Sequence, residues 1–138
     1  MKGKTSLTLI EQAIMLLVLA LAAALCLRAF AWADAHSKKN SHRDRAMTQL
    51  QSAAEVLKAH HGDLSAAAEA LGGQAEDSTW TIFWNENWIQ TQSPDAFRLQ
   101  VTPQDSETSF LGRALLELRQ QDGTVLGSLQ IAWQEVQP

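Results

Sequence analysis

From Ala13 to Leu27 no charged or strongly polar residue interrupts the chain, and the run is entered through Leu7-Thr8-Leu9-Ile10-Glu11-Gln12. Taken as one helix, residues 7–33 cover roughly 40 Å against a bilayer hydrocarbon core of about 30 Å, enough to span. Residues 1–6 form a short basic leader carrying Lys2 and Lys4. One carboxylate, Glu11, therefore sits at the mouth of a lipid-compatible segment, where insertion of an acid costs about 2.5–3.5 kcal/mol near the core.

The stretch from Ser37 to Arg45 is polar but holds no Pro or Gly, so helix can continue through it. Beyond it Met47, Leu50, Ala54 and Leu57 recur in steps of three and four, the signature of one buried helical face. His60-His61-Gly62 predicts the stop. A second short helix is expected over Ser65–Leu71, capped by Asp63 or Ser65 and ended by Gly72-Gly73, closing a helical stalk over 34–73. Gln74 to Ser78 reads as a polar connector.

From Thr79 the period falls to two. Trp80, Ile82 and Trp84 alternate with Thr79, Thr81 and Phe83; Asn85-Glu86-Asn87 is turn chemistry that lets Trp88 to Gln90 fold back. Phe97, Leu99 and Val101 mark a further strand, with Pro103 expected to stop it. Asp122-Gly123 predicts a type I′ hairpin in which Leu118 faces Gly127, Leu116 faces Leu129, Ala114 faces Ile131 and Gly112 faces Trp133. The expected fold is α+β: a long N-terminal helix, half membrane-spanning and half amphipathic, packed on a small antiparallel sheet of three to four strands over 78–138.

Charge and chemistry narrow the function. The net charge is −4, while Arg28, Lys38, Lys39, Arg43 and Arg45 gather just after the apolar run, a collar suited to lipid headgroups rather than a basic face for nucleic acid. The single Cys26 lies inside the apolar run, so no disulfide framework arises. His36, His42, His60 and His61 lack the three-or-four spacing of helical metal ligands and read as solvated. No grouping of nucleophile, base and acid, no paired carboxylates and no Gly-rich phosphate loop is present; neither an enzyme, a cofactor nor a small-molecule substrate is expected. Of the five Trp, Trp32 suits the membrane interface, Trp80, Trp84 and Trp133 the sheet core, and Trp88 its edge.

A long helix half in the membrane and half across a small antiparallel sheet resembles the type IV pilins and the pseudopilins of type II secretion. The N-terminus resembles theirs too: Thr8-Leu9-Ile10-Glu11 matches the family motif, with Leu7 in place of Phe and Ser6 in place of the usual Gly. Arg28 stands where many major pilins carry a Pro; minor pilins often lack it. The resemblance implies cleavage by a prepilin peptidase between Ser6 and Leu7, methylation of the new amine on Leu7, and pairing of Glu11 with the amine of a neighbouring subunit. It implies a single-pass protein, N-terminus cytoplasmic and C-terminal domain extracytoplasmic, that enters a pilus or secretion fibre with other pilin-like subunits.

The residues alone leave alternatives open. Lys2 and Lys4 with Ala31-Trp32-Ala33 form the outline of a secretory signal peptide, interrupted by Glu11, Gln12 and Arg28. A plain uncleaved anchor bearing a small binding module is the other. Charge asymmetry alone would put the basic collar, and with it the soluble part, in the cytoplasm, the reverse of the pilin arrangement.

Overall fold

The computed structural model describes residues 2–135, with side chains from Gly3 onward. Helix α1 runs Lys2–Ala59 and helix α2 Leu64–Leu71; the strands are β1 Gln74–Glu76, β2 Thr79–Trp84, β3 Gln90–Thr91, β4 Phe97–Gln104, β5 Leu111–Gln120 and β6 Val125–Gln134. The chain divides into two compact units between Ser41 and His42.

In the first unit α1 is uninterrupted and every described side chain is exposed. Its best 18-residue window has a mean hydropathy of 2.5 with none of it buried, so this one helix near the N-terminus is long and apolar enough to cross a membrane.

In the second unit the remainder of α1 covers an antiparallel sheet in the order β1-β2-β4-β5-β6, with β3 also pairing β2. The fold is α+β, as expected. Ala46, Leu50, Ala53, Ala54 and Leu57 form the buried helical stripe and meet Trp80, Ile82, Leu99, Val101, Leu116 and Leu118 from the sheet. Met47, expected in that stripe, lies at its margin with 38% of its surface exposed. Ala46 and Ala53 are fully buried in the stripe instead, and Gly127 is close-packed against Leu50. The helix stops where expected: His61 and Gly62 have positive φ, and the Gly62 N–H donates to the Leu57 carbonyl at 2.9 Å. Asp63 caps α2 by accepting from the N–H groups of Ser65 and Ala66.

The sheet has six strands rather than three or four, because the expected polar connector supplies β1 and the chain that folds back after Asn85-Glu86-Asn87 supplies the two-residue β3. Glu76 pairs with Thr79 across a two-residue turn in which Asp77 and Ser78 both have positive φ (49° and 60°), the type I′ geometry. The hairpin at Asp122-Gly123 differs from expectation in its turn. Gly123 donates to the Gln120 carbonyl and Gln120 to that of Thr124, with Gly123 at φ 92°, which makes a three-residue loop. The expected pairs, Leu118 with Gly127 through Gly112 with Trp133, nevertheless all form, because Leu126 bulges out and absorbs the extra residue.

Pro103 does not end β4, which pairs on to Gln104 opposite Arg113. The Gln121 N–H donates to Ala96, so in this register the odd positions of β4 turn their backbone groups toward β2. Pairing with β2 ends at Val101, so the missing N–H of Pro103 costs no ladder bond.

Candidate functional site

Helix α1 carries all three residues singled out at the N-terminus. Ser6 and Leu7 lie within its opening turns, and Leu7 and Glu11, four apart, share one face. Leu7, Ile14 and Met15, three or four positions from Glu11, are 55–68% exposed, so the face bearing Glu11 is also an apolar one. Thr8 closes its hydroxyl onto the Lys4 carbonyl at 2.8 Å, which leaves it without an unmet donor in an apolar medium.

Glu11 has no such internal solution. The positions three and four away are Leu7, Thr8, Ile14 and Met15, none of them basic. A counter-charge for this carboxylate must come from a chain terminus, another helix or solvent. The Glu11 side chain leans toward the helix N-terminus, the side on which Leu7 lies one turn away. The Ser6–Leu7 peptide itself is helical.

At the far end of the apolar segment Trp32 stacks on His36, with ring centroids 5.4 Å apart and planes 8° from parallel. Lys38 and Asp34 form an exposed pair at 3.5 Å. Trp32, 71% exposed, presents an indole at the point where the apolar run gives way to charge.

In the second unit one feature departs from the sequence reading. His42 is not solvated; its Nδ1 accepts the indole N–H of Trp88 at 3.2 Å. Trp88 stacks on Phe97 with centroids 4.1 Å apart and planes 13° from parallel, and Trp84 sits 6.0 Å away. Trp88 reaches this position through a positive φ of 61° in a turn whose Asn85 carboxamide accepts from the N–H groups of Asn87 and Ile89. Asn85-Glu86-Asn87 gives the sequence signal for that turn; nothing local gives the partner. His36, His60 and His61 are exposed, and among the described residues no group of three or more His, Cys, Asp or Glu could hold a metal ion.

Two shallow depressions mark the solvent face of the sheet. One of about 440 Å³ is lined by Gly72, Gly73, Gln74, Thr81, Phe83 and Gln90 among others, the other of about 210 Å³ by residues that include Arg98, Arg119 and Asp95. Arg98 and Arg119 are directly opposed across β4 and β5, and Arg119 is neutralised by a forked contact to Glu117 at 2.8 and 3.1 Å. Neither depression gathers a nucleophile with a base. No family model matches the chain, and neither a curated protein nor a solved structure matches it.

Proposed function

We propose that this chain is a minor-pilin-like or pseudopilin-like structural subunit, inserted as a single-pass protein and polymerising through its N-terminal helix into a type IV pilus or type II secretion-like assembly. The observation that carries this reading is Glu11: an acid on an exposed apolar helix face, with no base within helical reach. Burying that face against other copies of the helix is favourable only where each carboxylate meets a positive group, and the methylated amine of a neighbouring Leu7 supplies one. A charge pair in a dry bundle penalises every other stagger, which turns hydrophobic association into a defined register. Prepilin peptidase and other pilin-like subunits are then the partners, with the membrane lipid as the store of unassembled subunits. The second unit, held outside the membrane, presents its sheet to neighbouring subunits or cargo.

A second reading, a single-pass or secreted α+β binding module that does not polymerise, is favoured by Ser6 in the place of the family Gly. Mass spectrometry of the mature N-terminus separates the two. A chain beginning at Leu7 with one added methyl supports the pilin-like reading; one beginning at Asp34 or an intact Met1 overturns it. Glu11→Ala should leave insertion intact and abolish entry into assemblies, and assembly at the wild-type level would remove Glu11 from the mechanism.

A further inference from the structure

The two edges of the sheet are built differently. At one, β1 and β3 are three and two residues long, with Glu76 ending β1, Asp77 in the turn that leads to β2, and Pro94-Asp95 following β3. Short strands, charges and Pro are the devices that stop a sheet from growing. At the other, β6 runs ten residues, and from Thr124 to Gln134 it contains neither a charge nor a Pro. Its bulge at Leu126 lies next to the hairpin turn and leaves the rest regular.

The direction of its backbone groups follows from one bond. Glu135 donates to the Phe110 carbonyl at 2.9 Å in the same register as the β5–β6 pairs, so Gly127, Leu129, Ile131 and Trp133 spend their backbone groups on β5. Ser128, Gln130, Ala132 and Gln134 therefore turn N–H and C=O outward, and all four residues are exposed. Along the same edge Ile131 is buried, while Leu129 and Trp133 are only partly covered.

We propose that the outer edge of β6 is a β-augmentation site for an extended, uncharged strand of a different protein, apolar toward the helix-covered face and small and polar toward solvent. Four residues offering both donor and acceptor set the main-chain recognition, and the flanks of Leu129 and Trp133 set the side-chain preference. On the helix-covered side, beside Leu129 and Trp133, a charged side chain of the added strand would lose hydration without gaining a counter-ion. A second β6 is the wrong occupant for a membrane-anchored chain. Antiparallel pairing about a two-fold axis normal to the sheet reverses the helix that covers it, and the chains would then enter the two copies from opposite sides. That exclusion rests on the membrane-anchored reading above.

The test uses the full chain in detergent micelles and a capped decapeptide alternating Val and Thr as the probe. Amide hydrogen exchange should slow about tenfold or more at Ser128, Gln130, Ala132 and Gln134 when the peptide is added. The same peptide N-methylated at alternate residues should give no protection. Ala132→Pro deletes an outward N–H that β5 does not use, and should weaken the peptide while Gly127, Leu129 and Ile131 keep their protection. Unchanged exchange with the unmethylated peptide overturns the proposal, as does equal protection by the methylated one. Protection without peptide that disappears on dilution assigns the edge to a second copy and overturns it as well. None of these readouts depends on the state of Leu7 or Glu11, so failure here and failure of the polymerisation reading are separate results.

Discussion

Trp88 donates its indole N–H to His42 Nδ1 at 3.2 Å, joining residues 46 positions apart. An indole nitrogen can only donate, so Nδ1 must carry a free lone pair and the imidazole proton resides on Nε2. The bond fixes the loop after β2 to the part of α1 where the second unit begins, while Phe97 holds the indole face at 4.1 Å. Trp88→Phe keeps the stack and loses the bond, and should cost about 1 kcal/mol in denaturant unfolding. His42→Ala also removes the ring that lies 5.3 Å from Phe97, and should cost about 2 kcal/mol. A double-mutant cycle should return a coupling of about 0.5–1.5 kcal/mol; a coupling of zero would mean the contact contributes nothing.

The β5–β6 register was legible in the sequence because a one-residue slip of β6 would turn Leu129, Ile131 and Trp133 to solvent. The turn joining those strands was not, since a two-residue loop and a three-residue loop with a bulge at Leu126 deliver the same pairs. Met47 and Ala46 are adjacent on the helix, and periodicity favoured the larger residue where packing required the smaller. Pro103 was misread because its cost depends on whether a neighbouring strand exists beside it, which is tertiary information. The same limit hid the partner of His42. Leu7, Glu11 and their shared face were legible because helical spacing is local.

The Asp77-Ser78 turn holds Ser78 at φ 60° with no glycine to relieve it. A left-handed conformation costs an ordinary residue about 1–2 kcal/mol, and glycine returns part of that gain as chain entropy. Ser78→Gly should therefore raise unfolding stability by about 0.5–1 kcal/mol and move the midpoint upward at unchanged slope. A lower midpoint would show that the Ser78 side chain contributes more than its backbone strain costs.

Gly112 lies directly opposite Trp133, and a Cβ at that position would clash with the indole ring. A Cβ at Gly62 would meet the same ring, so the indole has no side to which it can withdraw freely. Gly112→Ala should cost about 1–3 kcal/mol by forcing Trp133 out of place, with a red shift in its fluorescence. Pairing the change with Trp133→Leu should recover part of the loss. If Gly112→Ala alone is neutral, the ring is not confined as described.

Asp122 accepts the Thr124 backbone N–H at 2.9 Å, and this bond, with a further contribution from the Thr124 side chain, holds its carboxyl below the ordinary value of 3.8. The hydrogen bonds favour the ionised form, so the folded chain binds this proton less readily than the unfolded chain does. Its contribution to stability is present above the unfolded value, and it is lost as pH falls through the lower, folded one. The carboxyl is fully exposed, so the effect belongs to the turn and should leave the global transition nearly unchanged. Carbon-detected titration of Asp122 should place its midpoint below that of a carboxylate in an unstructured peptide. Thr124→Pro removes the donating N–H and the side-chain hydroxyl together, and should return the midpoint toward 3.8. A midpoint that does not move with that substitution would assign the shift to another source.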